Sequence, residues 1–181
     1  FQQKVPYGLM LNIAPWNFPL LLSLLDVFPA LAVGNAAIVK PSEVTPRWVE
    51  PVRNALAEVP ELEAVLSFAI GSGETGAALI NQADIVSFTG SVATGRKVAE
   101  AAAAKFIPVF LELGGNDPAI VMKSADIQAA AEEIIRSSAS ASGQACQSLE
   151  RIYVDEAIAD EFIEVITEKA RDITLNTVDR A

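Results

Sequence analysis

The sequence predicts an α/β chain built on parallel strands, and three observations carry that prediction. Short apolar runs of four to seven residues alternate with longer helical stretches. Two of the runs stop at glycine-bearing turns that open directly into a helix. The connections between runs are long enough to hold a helix, which a parallel neighbour requires and a hairpin does not.

Leu9 to Ala14, an apolar run before Pro15, is expected as the first strand. Leu20 to Val33 is the most apolar stretch, too short for the ~20 residues of a membrane span, and is expected as one buried helix stopped by Gly34. Ala36 to Val39 gives a second strand that ends at Lys40-Pro41. Thr45 stands as a cap before Pro46 at the first helical position, and Trp48, Val52, Leu56 and Val59 form a helical stripe as far as Pro60. Val65 to Ile70 is a third strand, broken by Gly71-Ser72-Gly73, and Glu74 to Gln82 a short helix. Ile85 to Phe88 is the fourth strand, followed by Thr89-Gly90-Ser91 and a small-residue helix from Ala93 to Ala104. Ile107–Leu113 and Ala119–Met122 are strands separated by Gly114-Gly115. The pattern changes at that double glycine, so a domain boundary is placed there, with residues 1–113 on one side and 114–181 on the other. Asp126 caps an alanine-rich helix, Arg151 to Val154 is a strand, and Asp155 caps a last amphipathic helix through Ile173.

Composition limits the chemistry. With no histidine among 181 residues, Ser-His-Asp and Cys-His dyads and histidine-ligated zinc are excluded, so acid–base work falls to carboxylates, lysine, water or backbone. One cysteine cannot form an internal disulfide. A net charge of −10 argues against a phosphate-backbone partner and hence against nucleic acid. No membrane segment is expected. From Glu132 onward eleven acidic residues face five basic ones, and solvation of the last helix is their expected role. The chain starts at Phe1 without an initiator methionine or signal region, and is expected to be a piece of a longer protein.

Five places could carry chemistry. Cys146 lies in the small, polar run Ser142-Gly143-Gln144-Ala145-Cys146-Gln147-Ser148, whereas a structural cysteine usually sits in an apolar periodic run. It is either a nucleophile or a loop cysteine. Glu112 sits in Val109-Phe110-Leu111-Glu112-Leu113-Gly114-Gly115; in so apolar a strand it is either buried, with its pKa raised toward that of a general base, or on the wet face of an edge strand. Asn17, between Pro15 and Pro19, is either a preorganised amide donor or a cap beside a packed Trp16. Lys40-Pro41-Ser42-Glu43 offers a cation and a carboxylate to ribose hydroxyls, or is a solvated turn. Finally, the turns Gly71-Ser72-Gly73-Glu74-Thr75-Gly76 and Gly90-Ser91-Val92-Ala93-Thr94-Gly95 expose helix-start amides that could hold a pyrophosphate. The first fits Gly-x-Gly-x-x-Gly, but Asp84 follows Gly73 by only eleven residues and begins a strand, so the standard dinucleotide fingerprint fails.

In order, Pro15-Trp16-Asn17-Phe18-Pro19, Gly34-Asn35, Lys40-Pro41-Ser42-Glu43, Phe88-Thr89-Gly90-Ser91, Leu111-Glu112-Leu113-Gly114-Gly115 and Gly143-Gln144-Ala145-Cys146 resemble the NAD(P)-dependent aldehyde dehydrogenase superfamily. The resemblance runs from Ile13 to the end and covers the middle of such a protein. It implies a Rossmann-like coenzyme-binding portion over 1–113 and the beginning of an α/β catalytic domain over 114–181. It implies Cys146 as nucleophile, Asn17 and the Cys146 N–H as oxyanion donors, and Glu112 as the base that activates water. Coenzyme contacts implied in the same way are Trp16 and Ser91 near the pyrophosphate, Lys40 and Glu43 near the adenosine ribose, and Ser42, Gly71, Thr89, Gly90 and Leu113. Glu43 favours NAD over NADP, since a carboxylate repels a 2′-phosphate. Because relatives that pass the acyl group to coenzyme A usually lack this glutamate, Glu112 favours hydrolysis to a free acid. A small-molecule aldehyde, a homodimer or homotetramer and a cytoplasmic location are the further implications, and the isolated 181-residue piece is expected to be inactive. Three departures stand out: Asn116 replaces a common lysine, Gln147-Ser148 follow the nucleophile where sequences vary, and Pro60–Ala64 lacks a common glycine. The competing reading is a catalytically inactive dinucleotide-binding or structural relative.

Overall fold

The computed structural model describes residues 3–174. Phe1, Gln2 and residues 175–181, which were assigned to the two ends of the expected domains, lie outside the described residues. The chain divides into two compact units, with the division between Gly114 and Gly115.

The first unit is a five-stranded parallel sheet of β1 (Leu9–Ile13), β2 (Ala36–Lys40), β3 (Leu66–Phe68), β4 (Ile85–Thr89) and β5 (Val109–Glu112), in the order β3-β2-β1-β4-β5. Leu11 stands opposite Ile38 on one side and Val86 on the other. Because strand side chains alternate between faces, the sheet divides its apolar residues into two cores. Leu11, Ile13, Val86 and Phe88 pack with Ile80 of α5 (Gly73–Ile80) and Val98 of α6 (Val92–Ala104). Met10, Ala37, Val39 and Leu66 pack on the other face around Val27. That face is covered by α1 (Pro19–Leu24), α2 (Val27–Ala32) and α3 (Val49–Leu56). Removing a side chain such as Leu11 or Val86 from water contributes about 1.5–3 kcal/mol each, which is why the strands read as continuous apolar runs rather than alternating ones.

Several sequence expectations need correction. Leu20 to Val33 is two short helices broken at Leu25-Asp26, and Leu20, Leu21, Leu25, Phe28 and Val33 are exposed while Ser23 and Val27 are buried. The break has a polar cause. Asn12 of β1, fully buried, donates its amide to the carbonyls of Leu22 (3.3 Å) and Ser23 (2.9 Å), and Asp26 accepts a 2.7 Å hydrogen bond from Ser87 of β4. Thr45 makes no side-chain cap; its hydroxyl donates to the carbonyl of Trp16, and residues 46–48 form a 3-10 turn before α3. Pro60–Glu63, expected only as a turn, forms a short helix, α4. The third strand shrinks to Leu66–Phe68.

In the second unit β6 (Asp117–Val121) pairs in parallel with β7 (Leu149–Val154), joined through α7 (Ile127–Ala139) and followed by α8 (Ala159–Arg171). Val121, Ala131, Ile134 and Phe162 form its core. Asp126 caps α7 by accepting from the Ala129 N–H. Asp155, expected to cap the last helix directly, caps instead a 3-10 turn over Glu156–Ile158 that leads into α8. The pairing slips one residue between Asp117 and Pro118, a bulge of the kind that re-aims side chains near sites. Among the described residues no helix is long and apolar enough to cross a membrane.

Candidate active site

In the first unit every candidate catalytic or coenzyme-binding residue lies at, or just beyond, the carboxyl end of a parallel strand. Trp16 and Asn17 follow β1; Lys40, Ser42 and Glu43 end and follow β2; Gly71 follows β3; Thr89, Gly90 and Ser91 end and follow β4; Glu112 and Leu113 end and follow β5. Chain order reverses between β1 and β4, which are neighbours although β2 and β3 intervene in sequence. Ligands of open α/β sheets bind at such a reversal, outside the carboxyl ends of the strands. The loops there are tied together. The Ala14 N–H donates to Lys40 O (3.0 Å), the Gly90 N–H to Glu112 O (3.0 Å) and the Thr45 hydroxyl to Trp16 O (3.1 Å).

The Lys40 side chain is only 5% exposed and its ammonium reaches Glu43 at 2.7 Å. That hydrogen bond is the main reason the Glu43 carboxyl sits below its usual range. Ser42 accepts from the Val44 N–H and closes the turn. Trp16 is exposed and Asn17 half-buried.

The two glycine turns differ as anion sites. Ser72 caps α5, but Glu74 occupies its first turn, and a carboxylate there repels a phosphate. Ser91 caps α6, whose first turn carries no acid and which runs for thirteen residues. The second turn, at the β1/β4 reversal, is therefore the better cradle. Two glycines permit its geometry. A Cβ at Gly90 would come within 2.6 Å of the Phe88 ring, and one at Gly95 within 2.6 Å of Leu113.

Glu112 is exposed on β5, an edge strand. The buried alternative for it does not hold in this chain. Among the described residues β5 pairs with β4 alone, and side chains alternate along it, so that Phe110 and Glu112 are exposed on one face while Val109 and Leu111 are half-buried on the other.

Cys146 belongs to the second unit. It is exposed, in the loop between α7 and β7, with its thiol 3.1 Å from the Gln147 side-chain oxygen. The loop begins with three successive residues in the left-handed region: Ala141 (φ 52°), Ser142 (φ 60°) and Gly143 (φ 73°). For Ala141 and Ser142 this conformation costs about 1–2 kcal/mol each. Non-glycine strain of this kind persists where surrounding contacts over-determine it. The contacts here are Gln144 N–H to Ala141 O (3.1 Å), Ser148 N–H to Ala145 O (3.1 Å) and the Ser138 hydroxyl to Leu149 O (2.8 Å).

A sequence profile of the aldehyde dehydrogenase family matches residues 1–180. The chain belongs to the aldehyde dehydrogenase family. It is 55% identical to PutA of Anabaena variabilis, assigned to the aldehyde dehydrogenases, with a TM-score of 0.92 over 94% of this chain and 36% of that one. Betaine aldehyde dehydrogenase from Staphylococcus aureus, solved with NAD+, superposes with a TM-score of 0.88 at 33% identity, over 93% of this chain and 34% of its own. D-glyceraldehyde dehydrogenase (NADP(+)) from Thermoplasma acidophilum is 36% identical over 97% of this chain and 36% of its own length. This aldehyde dehydrogenase chain thus spans about a third of the length of the relatives it matches.

Sequence reasoning missed the Asn12–Ser23–Asp26–Ser87 cluster, which anchors the helices that follow Asn17. Its signal was present: Asn12, Asp26 and Ser87 each interrupt an apolar run.

Proposed function

We propose that the protein carrying this sequence oxidises an aldehyde to the carboxylic acid with NAD(P), using Cys146, Asn17 and Glu112. The observation that carries the reading is the alignment of eleven candidate residues along one edge of the first unit's sheet, at its topological reversal, in a chain of the aldehyde dehydrogenase family. The residues at that edge suit a dinucleotide. The Ser91 turn offers helix-start amides to a pyrophosphate, and Lys40 and Glu43 offer a donor and an acceptor to ribose hydroxyls. Ser42, Gly71, Thr89, Gly90, Leu113 and Trp16 complete the proposed contacts. NAD is the coenzyme favoured by Glu43, although relatives use NAD+ or NADP+.

Cys146 as thiolate attacks the aldehyde carbon, forming a C–S bond and leaving an oxyanion. The Asn17 amide and the Cys146 N–H donate to that oxyanion, the kind of preorganised stabilisation that dominates acyl-transfer barriers. When bound, the coenzyme would supply a hydride acceptor. Loss of hydride from the former aldehyde carbon leaves a thioester on Cys146. Glu112 then takes a proton from water, whose oxygen attacks the thioester carbon, and the C–S bond breaks to release the acid and the thiolate. An exposed carboxylate at the end of an edge strand is free to serve a water molecule. A carboxylate base is consistent with residues that hold no histidine. The product is a free acid rather than an acyl-coenzyme A, the assembly a homodimer or homotetramer, and the location cytoplasmic. The 181 residues alone do not turn over substrate.

The test is aldehyde-dependent appearance of reduced coenzyme by the protein carrying this sequence, before and after iodoacetamide. Turnover that vanishes on alkylation of Cys146 is expected. Turnover that survives complete alkylation overturns the mechanism, and absence of turnover with a range of aldehydes favours the inactive dinucleotide-binding relative.

A further inference from the structure

We propose that Gly115 is a positioning residue for the nucleophile: its missing side chain is the seat on which the Cys146 carbonyl rests. This rests on the reading of Cys146 given above, but its geometry stands by itself within the second unit. A Cβ built on Gly115 would lie 2.7 Å from the Cys146 carbonyl oxygen and 2.6 Å from an Asp117 carboxylate oxygen. The Asp117 contact is with the end of a side chain that can swing away. The Cys146 contact is with backbone, so an alanine at 115 has to push the main chain of the nucleophile back by more than half an ångström before ordinary contact is reached. The neighbouring Gly114 behaves oppositely, since a Cβ there meets nothing within 4 Å. The double glycine is therefore one open position and one closed one.

The loop that carries Cys146 needs such a seat. Its entry is wound left-handed at Ala141, Ser142 and Gly143, and its flanks are pinned by Ser138 to Leu149 O and by the Ser148 N–H to Ala145 O. Between those pins the Gly115 backbone lies against the Cys146 carbonyl, closely enough that a Cβ would be 2.7 Å from its oxygen. Gly115 directly precedes the segment of Asn116, whose carbonyl accepts two hydrogen bonds from Arg151 of β7 (3.1 and 2.9 Å). The seat is thus fixed to the same strand that begins where the cysteine loop ends. Because the oxyanion donor is the Cys146 N–H itself, a shift of this main chain moves nucleophile and donor together.

The experiment compares Gly115→Ala with Gly114→Ala in the protein carrying this sequence. Cysteine labelled with 13C at the carbonyl and glutamine labelled with 15N isolate the Cys146–Gln147 peptide unit, the one Cys-Gln pair in the sequence. Gly115→Ala is expected to move that signal by several linewidths and to lower kcat about 10²-fold, the size expected of a misplacement approaching an ångström, with coenzyme Kd within twofold. Gly114→Ala is expected to leave the signal in place. If the two variants move it equally, or Gly115→Ala leaves it unmoved, the proposal is wrong. Should Gly115→Ala fail to fold, an NOE from the Gly115 Hα protons to the Cys146–Gln147 backbone in the unmutated protein decides: its presence supports the seat and its absence overturns it. A protein that turns over no aldehyde while Gly115→Ala still shifts the signal removes the functional reading and leaves the seat intact.

Discussion

The two units hold their candidate chemistry by different means. In the first, five strand ends present eleven residues along one edge, and each is placed by a strand paired within the sheet. In the second, an exposed loop with left-handed backbone carries Cys146 beside a sheet that has two strands among the described residues. Ile120, Met122 and Tyr153 there are more than half exposed. Placement by a sheet edge is redundant, because no one side chain sets it. Placement by a strained loop is local, because a few contacts do.

The sharpest way to break that contrast is to remove the largest fully buried side chain of the second unit. Phe162→Ala is expected to cost about 3–5 kcal/mol, since Phe162 is 1% exposed among Val121, Ala131 and Ile134. Amide hydrogen exchange should accelerate in β6, β7 and α7 and remain slow in β1, β2 and β4. Equal acceleration in both sets would mean that the units do not have separate stabilities.

A second, smaller effect sharpens the division of labour. On the proposed role of Asn17, Asn17→Ala should lower kcat about 10²–10³-fold, the typical cost of one lost oxyanion donor. A rise in aldehyde KM with kcat intact would move Asn17 from transition-state stabilisation to ground-state binding.

The smallest effect is that of pH on the Lys40–Glu43 pair. The Lys40 hydrogen bond depresses the Glu43 pKa, so the pair's stabilisation is present above the unfolded carboxyl pKa and is lost as pH falls through the lower folded value. Because the Glu43 side chain is 57% exposed, solvent screens the pair and the contribution stays under about 1 kcal/mol. Acid unfolding of Glu43→Gln should therefore differ from that of the parent chain only slightly above this range, and not at all below it. A large difference at neutral pH would show that Glu43 holds more than Lys40.

The same contrast explains what the sequence could and could not reveal. Parallel strands and the turns that follow them were legible because a doubly covered strand must be apolar along its whole length and its end must turn. Thr89-Gly90-Ser91 and Lys40-Pro41-Ser42-Glu43 were found in that way. The break at Leu25-Asp26 was not legible, because it depends on Asn12 and Ser87 from strands far away in sequence. The edge position of Glu112, one of the two alternatives the sequence left open, is set by the order of strands and not by Val109–Leu113 itself. In the second unit the cysteine stood out by its polar surroundings, while the left-handed turn at Ala141–Ser142 carries no sequence signal, since neither residue favours that conformation. The role of Gly115 became visible only once the Cys146 carbonyl was seen against it.

On the proposed reading, the first unit binds coenzyme and the second supplies the nucleophile. Cys146→Ala in the protein carrying this sequence tests both halves at once, by coenzyme titration and by aldehyde-dependent turnover on one preparation. The account predicts a coenzyme Kd within about twofold of the parent and no detectable aldehyde oxidation. Turnover that persists without the thiol, or coenzyme binding lost from a folded variant, would contradict it.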